Sequence, residues 1–248
     1  MQNVFIFSVK YVTIVLVTLL LVGVLMLSNL SKINIITGHY GCGKTNFAVN
    51  LAVMLANMGE KVTVVDLDIV NPYFRTADFT EIFDNANIAL MKPQFANTNL
   101  DIPSINFDLA SLLKQDGKVI IDVGGDDAGG VALGRYQDIL ATTDNVTMFY
   151  LFNKYRYLTQ DSDDALELMH EIEAAAKIKA DALINTSNLG EETTADDIRA
   201  TFKSMDEISQ KTGLGIAFTV AKKDIANELS GEVENLLPVE IYVKQIWS

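Results

Sequence analysis

From Lys32 onward, short and nearly continuous apolar runs alternate with longer stretches whose apolar positions recur at helical spacing. The runs Ile33–Thr37, Lys61–Leu67, Ile88–Met91, Val119–Val123, Val146–Phe152, Ala182–Asn185 and Ile216–Val220 predict strands. Lys61–Leu67 has the nearly continuous apolar character of a strand buried on both faces. Helices are predicted over Lys44–Met58, Ala77–Phe83, Val131–Thr142, Ser162–Ile178, Ala195–Thr212 and Lys223–Leu229. In the first of these, Phe47, Val49, Leu51, Ala52 and Leu55 are the apolar positions. This rhythm predicts an α/β fold: a doubly wound, mostly parallel sheet with helices on both faces. No repeat or Pro-rich linker divides it, so residues 32–248 read as one domain.

Residues 1–31 have a different pattern. Tyr11–Leu27 is uncharged and apolar and reaches the lower limit of length for a transmembrane helix. Lys10 and Lys32 flank it, so charge gives no orientation. A cleaved signal peptide fits poorly, because Lys10 is the sole basic residue before the run and no small-x-small cleavage site follows. Two readings stay open. One is a membrane anchor that tethers a cytoplasmic nucleotide domain to the inner face of the plasma membrane. The other is a mis-assigned start, with initiation at Met26 giving an ordinary cytoplasmic protein.

Composition narrows the chemistry. The net charge of -13 opposes general nucleic-acid binding and leaves no polybasic surface for anionic lipid. A single cysteine, Cys42, excludes an intrachain disulfide and a CxxC metal site built by one chain. Carboxylates, lysines, backbone amides and a bound ion are what remain.

Gly38-His39-Tyr40-Gly41-Cys42-Gly43-Lys44-Thr45 satisfies G-x-x-x-x-G-K-[ST], with a predicted strand before it and a predicted helix after it. The glycines let successive N–H groups turn towards a phosphate chain, and the helix start adds its positive end. Lys44 is expected on the β- and γ-phosphates and the Thr45 hydroxyl on Mg²⁺, with Asn46 next along the helix among the nucleotide contacts. Lys118–Asp122 is an apolar strand ending in a carboxylate, suited to hold the ion through water. Asp122-Val123-Gly124-Gly125 also forms D-x-x-G, so the Gly125 amide can sense the γ-phosphate. Asp126 and Asp127 read equally as turn residues or as functional ones. Asp66 and Asp68 end the second strand on one face, where a carboxylate can orient or deprotonate water or simply cap a turn.

The segments GHYGCGKT, VVDLDIVNP and IIDVGGDDAG together resemble the MinD/ParA/CobQ-type P-loop ATPases of the SIMIBI class. DLDIVNPYFRTADF, FANTNLDIP and NTSNLGEETTADD look more like an uncharacterised bacterial nucleotide-binding branch of that class. The resemblance covers Ile33 to Trp247. It implies that Asp68 activates water, that Asp122 is linked to Mg²⁺, and that Asn185 faces adenine. A guanine reader needs N-K-x-D, and Asn153-Lys154-Tyr155-Arg156 lacks the aspartate, so ATP is expected. Dimerising members carry a trans-acting lysine where this chain has His39, which is shorter and mostly neutral at pH 7. Arg75, Arg135 and Arg156 are alternative cations, and the sequence does not choose among them.

The leading expectation is a Mg²⁺-dependent ATPase whose nucleotide state controls a protein partner or a homodimer. The alternatives are a small-molecule kinase or ligase resembling dethiobiotin synthetase or cobyrinate amidase, with Gln94–Pro103 as an acceptor loop, and a non-catalytic nucleotide sensor.

Overall fold

The computed structural model describes residues 25–68, 76–92, 109–125 and 127–243. Eight strands form one sheet: β1 (Ile33–Gly38), β2 (Val62–Leu67), β3 (Ala89–Met91), β4 (Lys118–Val123), β5 (Val146–Phe152), β6 (Ala182–Asn185), β7 (Ile216–Lys222) and β8 (Leu236–Val239). Their order is β3-β2-β4-β1-β5-β6-β7-β8, and every pairing between these strands is parallel. The chain moves from β1 out to β3, returns to insert β4 beside β1, then winds outward on the other side from β5 to β8. The winding reverses at β1, and in such sheets ligands bind beyond the strand ends at that reversal.

From residue 44 onward, the helices among the described residues are α1 (Lys44–Asn57), α2 (Thr80–Asn85), α3 (Leu109–Lys114), α4 (Asp127–Gly134), α5 (Gln137–Ala141), α6 (Ser162–Ala176), α7 (Ala195–Arg199), α8 (Phe202–Thr212) and α9 (Lys223–Glu228). Alternate strand residues serve opposite faces. Ile33 and Ile35 join a cluster with Leu133 of α4, Met169 and Ile172 of α6, and Met205 and Ile208 of α8. Ile36 joins the opposite cluster with Phe47, Leu51 and Leu55 of α1. Both faces are therefore covered, and the predicted α/β doubly wound class holds.

The differences from the predicted elements have local causes. The predicted helix 131–142 begins earlier, at Asp127, and breaks after Gly134. The predicted helix 195–212 divides at residues 200 and 201, where the buried Thr201 hydroxyl donates to the Ile198 carbonyl at 2.7 Å. The predicted helix 77–83 is a 3₁₀ turn over Thr76–Phe79 followed by α2. Helix α3 and strand β8 were not predicted at all. Gln94–Pro103 and Arg75 lie outside the described residues, as does most of Tyr11–Leu27. Leu27, the last residue of that apolar stretch, is 5% exposed and packs with Leu30 into the α1-side core. Among the described residues no helix is long and apolar enough to cross a membrane.

Helices α4 and α6 approach closely through glycine. A Cβ on Gly130 would stand 2.8 Å from Ala175 Cβ, and one on Gly134 would stand 2.8 Å from the Ala175 carbonyl oxygen. Gly134→Ala is therefore expected to lower the unfolding free energy by about 1–3 kcal/mol through overpacking. Denaturant titration checks this, and an unchanged midpoint would show that the two helices separate without cost.

Candidate phosphate-binding site

The loop between β1 and α1 is shaped by its glycines. Gly38 has φ +144°, and a Cβ there would lie 2.5 Å from the Leu151 carbonyl oxygen. Gly43 has φ +95° and stands at the N-cap of α1 without any side-chain cap. The first-turn amides of a 14-residue helix thus face the loop without a side-chain acceptor, which favours an anion there. Cys42 is buried, and its carbonyl accepts the Thr186 hydroxyl at 2.6 Å. Burial pushes its thiol above the ordinary value, so it packs as a small loop residue rather than reacting as a thiolate.

Lys44 is buried, and its ammonium donates to the His39 carbonyl at 3.0 Å. Gly125 abuts both loop and lysine. A Cβ on it would fall 2.6 Å from Lys44 Nζ and 2.7 Å from Tyr40 Cα. The D-x-x-G segment and the phosphate loop are thus in contact only because residue 125 lacks a side chain.

Asp122, at the end of β4, is 1% exposed. Its Oδ2 accepts the Thr45 hydroxyl at 2.9 Å and also the Thr76 hydroxyl. Its Oδ1 is buried and has no hydrogen-bond partner. Burial pushes this carboxyl up to about 6, and nearby Asp68 adds to the rise; the hydrogen bond from Thr76, the charge of Lys44 and the hydrogen bond from Thr45 oppose it. A carboxylate oxygen without a partner beside a threonine hydroxyl fits Mg²⁺, whose remaining ligands would be phosphate oxygens and water. Among the described residues there is no cluster of three or more His, Cys, Asp or Glu side chains suited to hold a metal. Asp66 pairs in register with Asp122 across β2 and β4, but its Oδ1 accepts the Asp68 amide at 3.0 Å. Asp66 thus shapes the turn. Asp68 reaches the D-x-x-G segment, its Oδ1 lying 3.2 Å from where a Cβ on Gly124 would stand.

A cleft of about 770 Å³ opens from the loop, and Gly41, Gly43, Lys44, Thr45 and Asn46 form part of its wall. Of the three arginines, Arg156 lines it, with Nε buried and unpartnered and lying 3.5 Å from a Cβ built on Gly41. Arg135 is exposed. Nothing in the sequence singled out Arg156, whose place is set by the turn that follows β5. Asn185 is buried behind the cleft: its Nδ2 donates to Thr201 Oγ1 at 2.8 Å and its Oδ1 accepts the Ser187 amide at 3.1 Å. Thr186, Ser187 and Asn188 form the wall instead. Asn46 directs its side chain at residues 240–243, a segment the sequence did not connect with the site. His39 is pushed below its ordinary value by partial burial and by the charges of Lys44 and Arg156, so it is neutral at pH 7. It lines a second concavity of about 460 Å³ with Gly125, Asp127, Leu168 and Glu171. Asp126 lies outside the described residues.

The raised Asp122 carboxyl has a consequence for stability. The folded state holds this proton more tightly than the unfolded chain, so the contribution is full below about pH 4 and is lost as pH rises through about 6. In protein free of metal and nucleotide, Asp122→Asn should gain on the native chain by up to about 3 kcal/mol between pH 4 and pH 7. Paired urea titrations across that range check this, and parallel pH profiles would refute it.

Residues 29–122, under half of the chain, match the ParA family model, described as NUBPL iron-transfer P-loop NTPase. No curated protein matches. Among solved structures, the chain resembles signal recognition particle 54 kDa protein from Aeropyrum pernix K1, solved in complex with GDP. That match has TM-score 0.50 and 16% identity, over 76% of this chain and 41% of that one. It also resembles chloroplast FtsY from Physcomitrella patens, with TM-score 0.51 and 14% identity, over 85% of this chain and 62% of that one. The chain thus spans less than two thirds of the length of either protein. At these identities the likeness speaks to the fold. Taken with the loop geometry and the ParA match, it supports a P-loop NTPase of the SIMIBI class, with nucleotide binding as its general property.

Proposed function

We propose that this protein is a Mg²⁺-dependent ATPase whose nucleotide state controls a protein partner or an oligomer. The observation that carries the proposal is the unpartnered, buried Oδ1 of Asp122, held beside Thr45 at the mouth of the phosphate loop. Thr45 and Asp122 would hold the ion, which neutralises charge on the phosphates when bound. The loop amides and Lys44 bind the phosphates, with Lys44 leaving the His39 carbonyl to do so. Asp68, beside Gly124, orients the attacking water, and Gly125 passes the presence of a γ-phosphate to α4.

Adenine is favoured over guanine by what stands at the N-K-x-D position. Asn153 is fully buried, its Oδ1 accepting the Tyr155 and Asn188 amides, and Arg156 occupies the place of the aspartate. A guanidinium has only donors and cannot accept from the guanine N1 and N2 hydrogens. Arg156 instead brings positive charge to Gly41 within the same chain. Neutral His39 cannot replace a charged lysine reaching across a dimer, so control of an oligomer would not use that contact.

The concavity lined by His39, Gly125 and Asp127 favours a second reading, phosphoryl transfer to a small acceptor. Phosphate release separates the two. The ATPase releases phosphate without added metabolite, whereas the transferase forms ADP only with an acceptor, which keeps the phosphoryl group. Lys44→Ala should weaken ATP binding by about 10- to 100-fold, the worth of a charge-assisted hydrogen bond. Asp68→Ala should bind ATP normally and lose about 10²–10⁴-fold in turnover. Calorimetry and single-turnover assays check both, and full turnover in Asp68→Ala would remove it from the chemistry.

A further inference from the structure

Helix α1 leaves the phosphate loop with Asn46 and Asn50 one turn apart, and both side chains hold the segment that follows β8. Asn46 Nδ2 donates to the Glu240 carbonyl at 3.1 Å, and its Oδ1 accepts the Tyr242 and Val243 amides at 2.8 and 3.2 Å. Asn50 Nδ2 donates to the same Glu240 carbonyl at 2.8 Å, and its Oδ1 accepts the Glu240 amide at 2.8 Å. Two side-chain amides thus supply the bonds a neighbouring strand would otherwise give. Lys223 adds an ion pair to Glu240 at 2.5 Å. Tyr242 packs against the α1-side core, whereas Val239, Ile241 and Val243 line the nucleotide cleft, an alternation of period two.

The segment after β8 therefore gives the cleft an apolar wall. Ile241 is 39% exposed and Leu189, which also lines the cleft, is 45% exposed. Large apolar side chains left open inside one cleft fit a flat, largely apolar ligand group. We propose that residues 240–243 form a wall of the nucleobase subsite, with a purine ring packing against Ile241. Asn46 and Asn50 are positioning residues that fix this wall to the helix beginning at Lys44. The spacing between phosphate and base is then set by two turns of one helix. This inference rests on the nucleotide reading above and adds which segment recognises the base.

The test compares Mg²⁺·ATP with Mg²⁺·tripolyphosphate, a probe that has the phosphates and no base. Calorimetry on the full chain would use the native protein, Asn50→Leu and Ile241→Ala, the last touching no backbone bond. Both variants should lose about tenfold in ATP affinity and bind tripolyphosphate within twofold of native. Unchanged ATP affinity in Ile241→Ala, or an equal loss for both probes, would overturn the proposal. Native protein that binds ATP no better than tripolyphosphate would overturn it too, while leaving the phosphate site standing. Native protein that binds neither would overturn the nucleotide reading and this wall with it.

Discussion

A carboxylate taken out of water at the end of a central strand is unfavourable unless its surroundings supply compensating bonds. Asp122 is in that position, and the arrangement of the site follows from how its two oxygens are treated. Oδ2 takes hydroxyls from Thr45 of α1 and from Thr76 after β2, joining three parts of the chain at one atom. Oδ1 takes nothing, and burial leaves the group easily protonated. The compensation is thus half complete within the protein, and a cation with phosphate ligands would complete it. Lys44 and Gly125 lie against the same corner, so the loop, the strand end and the D-x-x-G segment form one packed unit.

Much of this unit was legible in the sequence because its parts are local. The phosphate loop is a contiguous motif with fixed glycine requirements, and β1, β2 and β4 are largely apolar runs. What escaped depends on tertiary contacts. Strand β8, Leu236-Leu237-Pro238-Val239, is four residues long and contains a proline that reads against a strand; it survives as an edge. Helix α4 begins Asp127-Ala128-Gly129-Gly130, which reads as a turn until close approach to the Gly124 backbone requires Gly129 and packing against α6 requires Gly130. Arg156 carries no signal beyond its charge. Asn46 and Asn50 sit at ordinary helix positions, and their bonds reach across about 190 residues of sequence.

The two ends of the cleft are built by different means. The phosphate end uses backbone amides, one lysine and a buried carboxylate, all within the loop and two strand ends. The rest of the wall brings together residues 186–193, which carry part of the sequence resemblance, and the segment after β8, which carries no motif. The phosphate end agrees with the ParA-type match, which ends at residue 122. The second residue of the loop, His39, is neutral, and the cation beside Gly41 comes from Arg156 of the same chain.

Thr45 and Asp122 are proposed to seat an ion that binds together with the nucleotide. The most direct measurement is ATP affinity with and without Mg²⁺ in the native protein and in Thr45→Ala. Strengthening by Mg²⁺ in the native protein, largely lost in Thr45→Ala, is the predicted result. Equal strengthening in both proteins, or none in the native one, would contradict it.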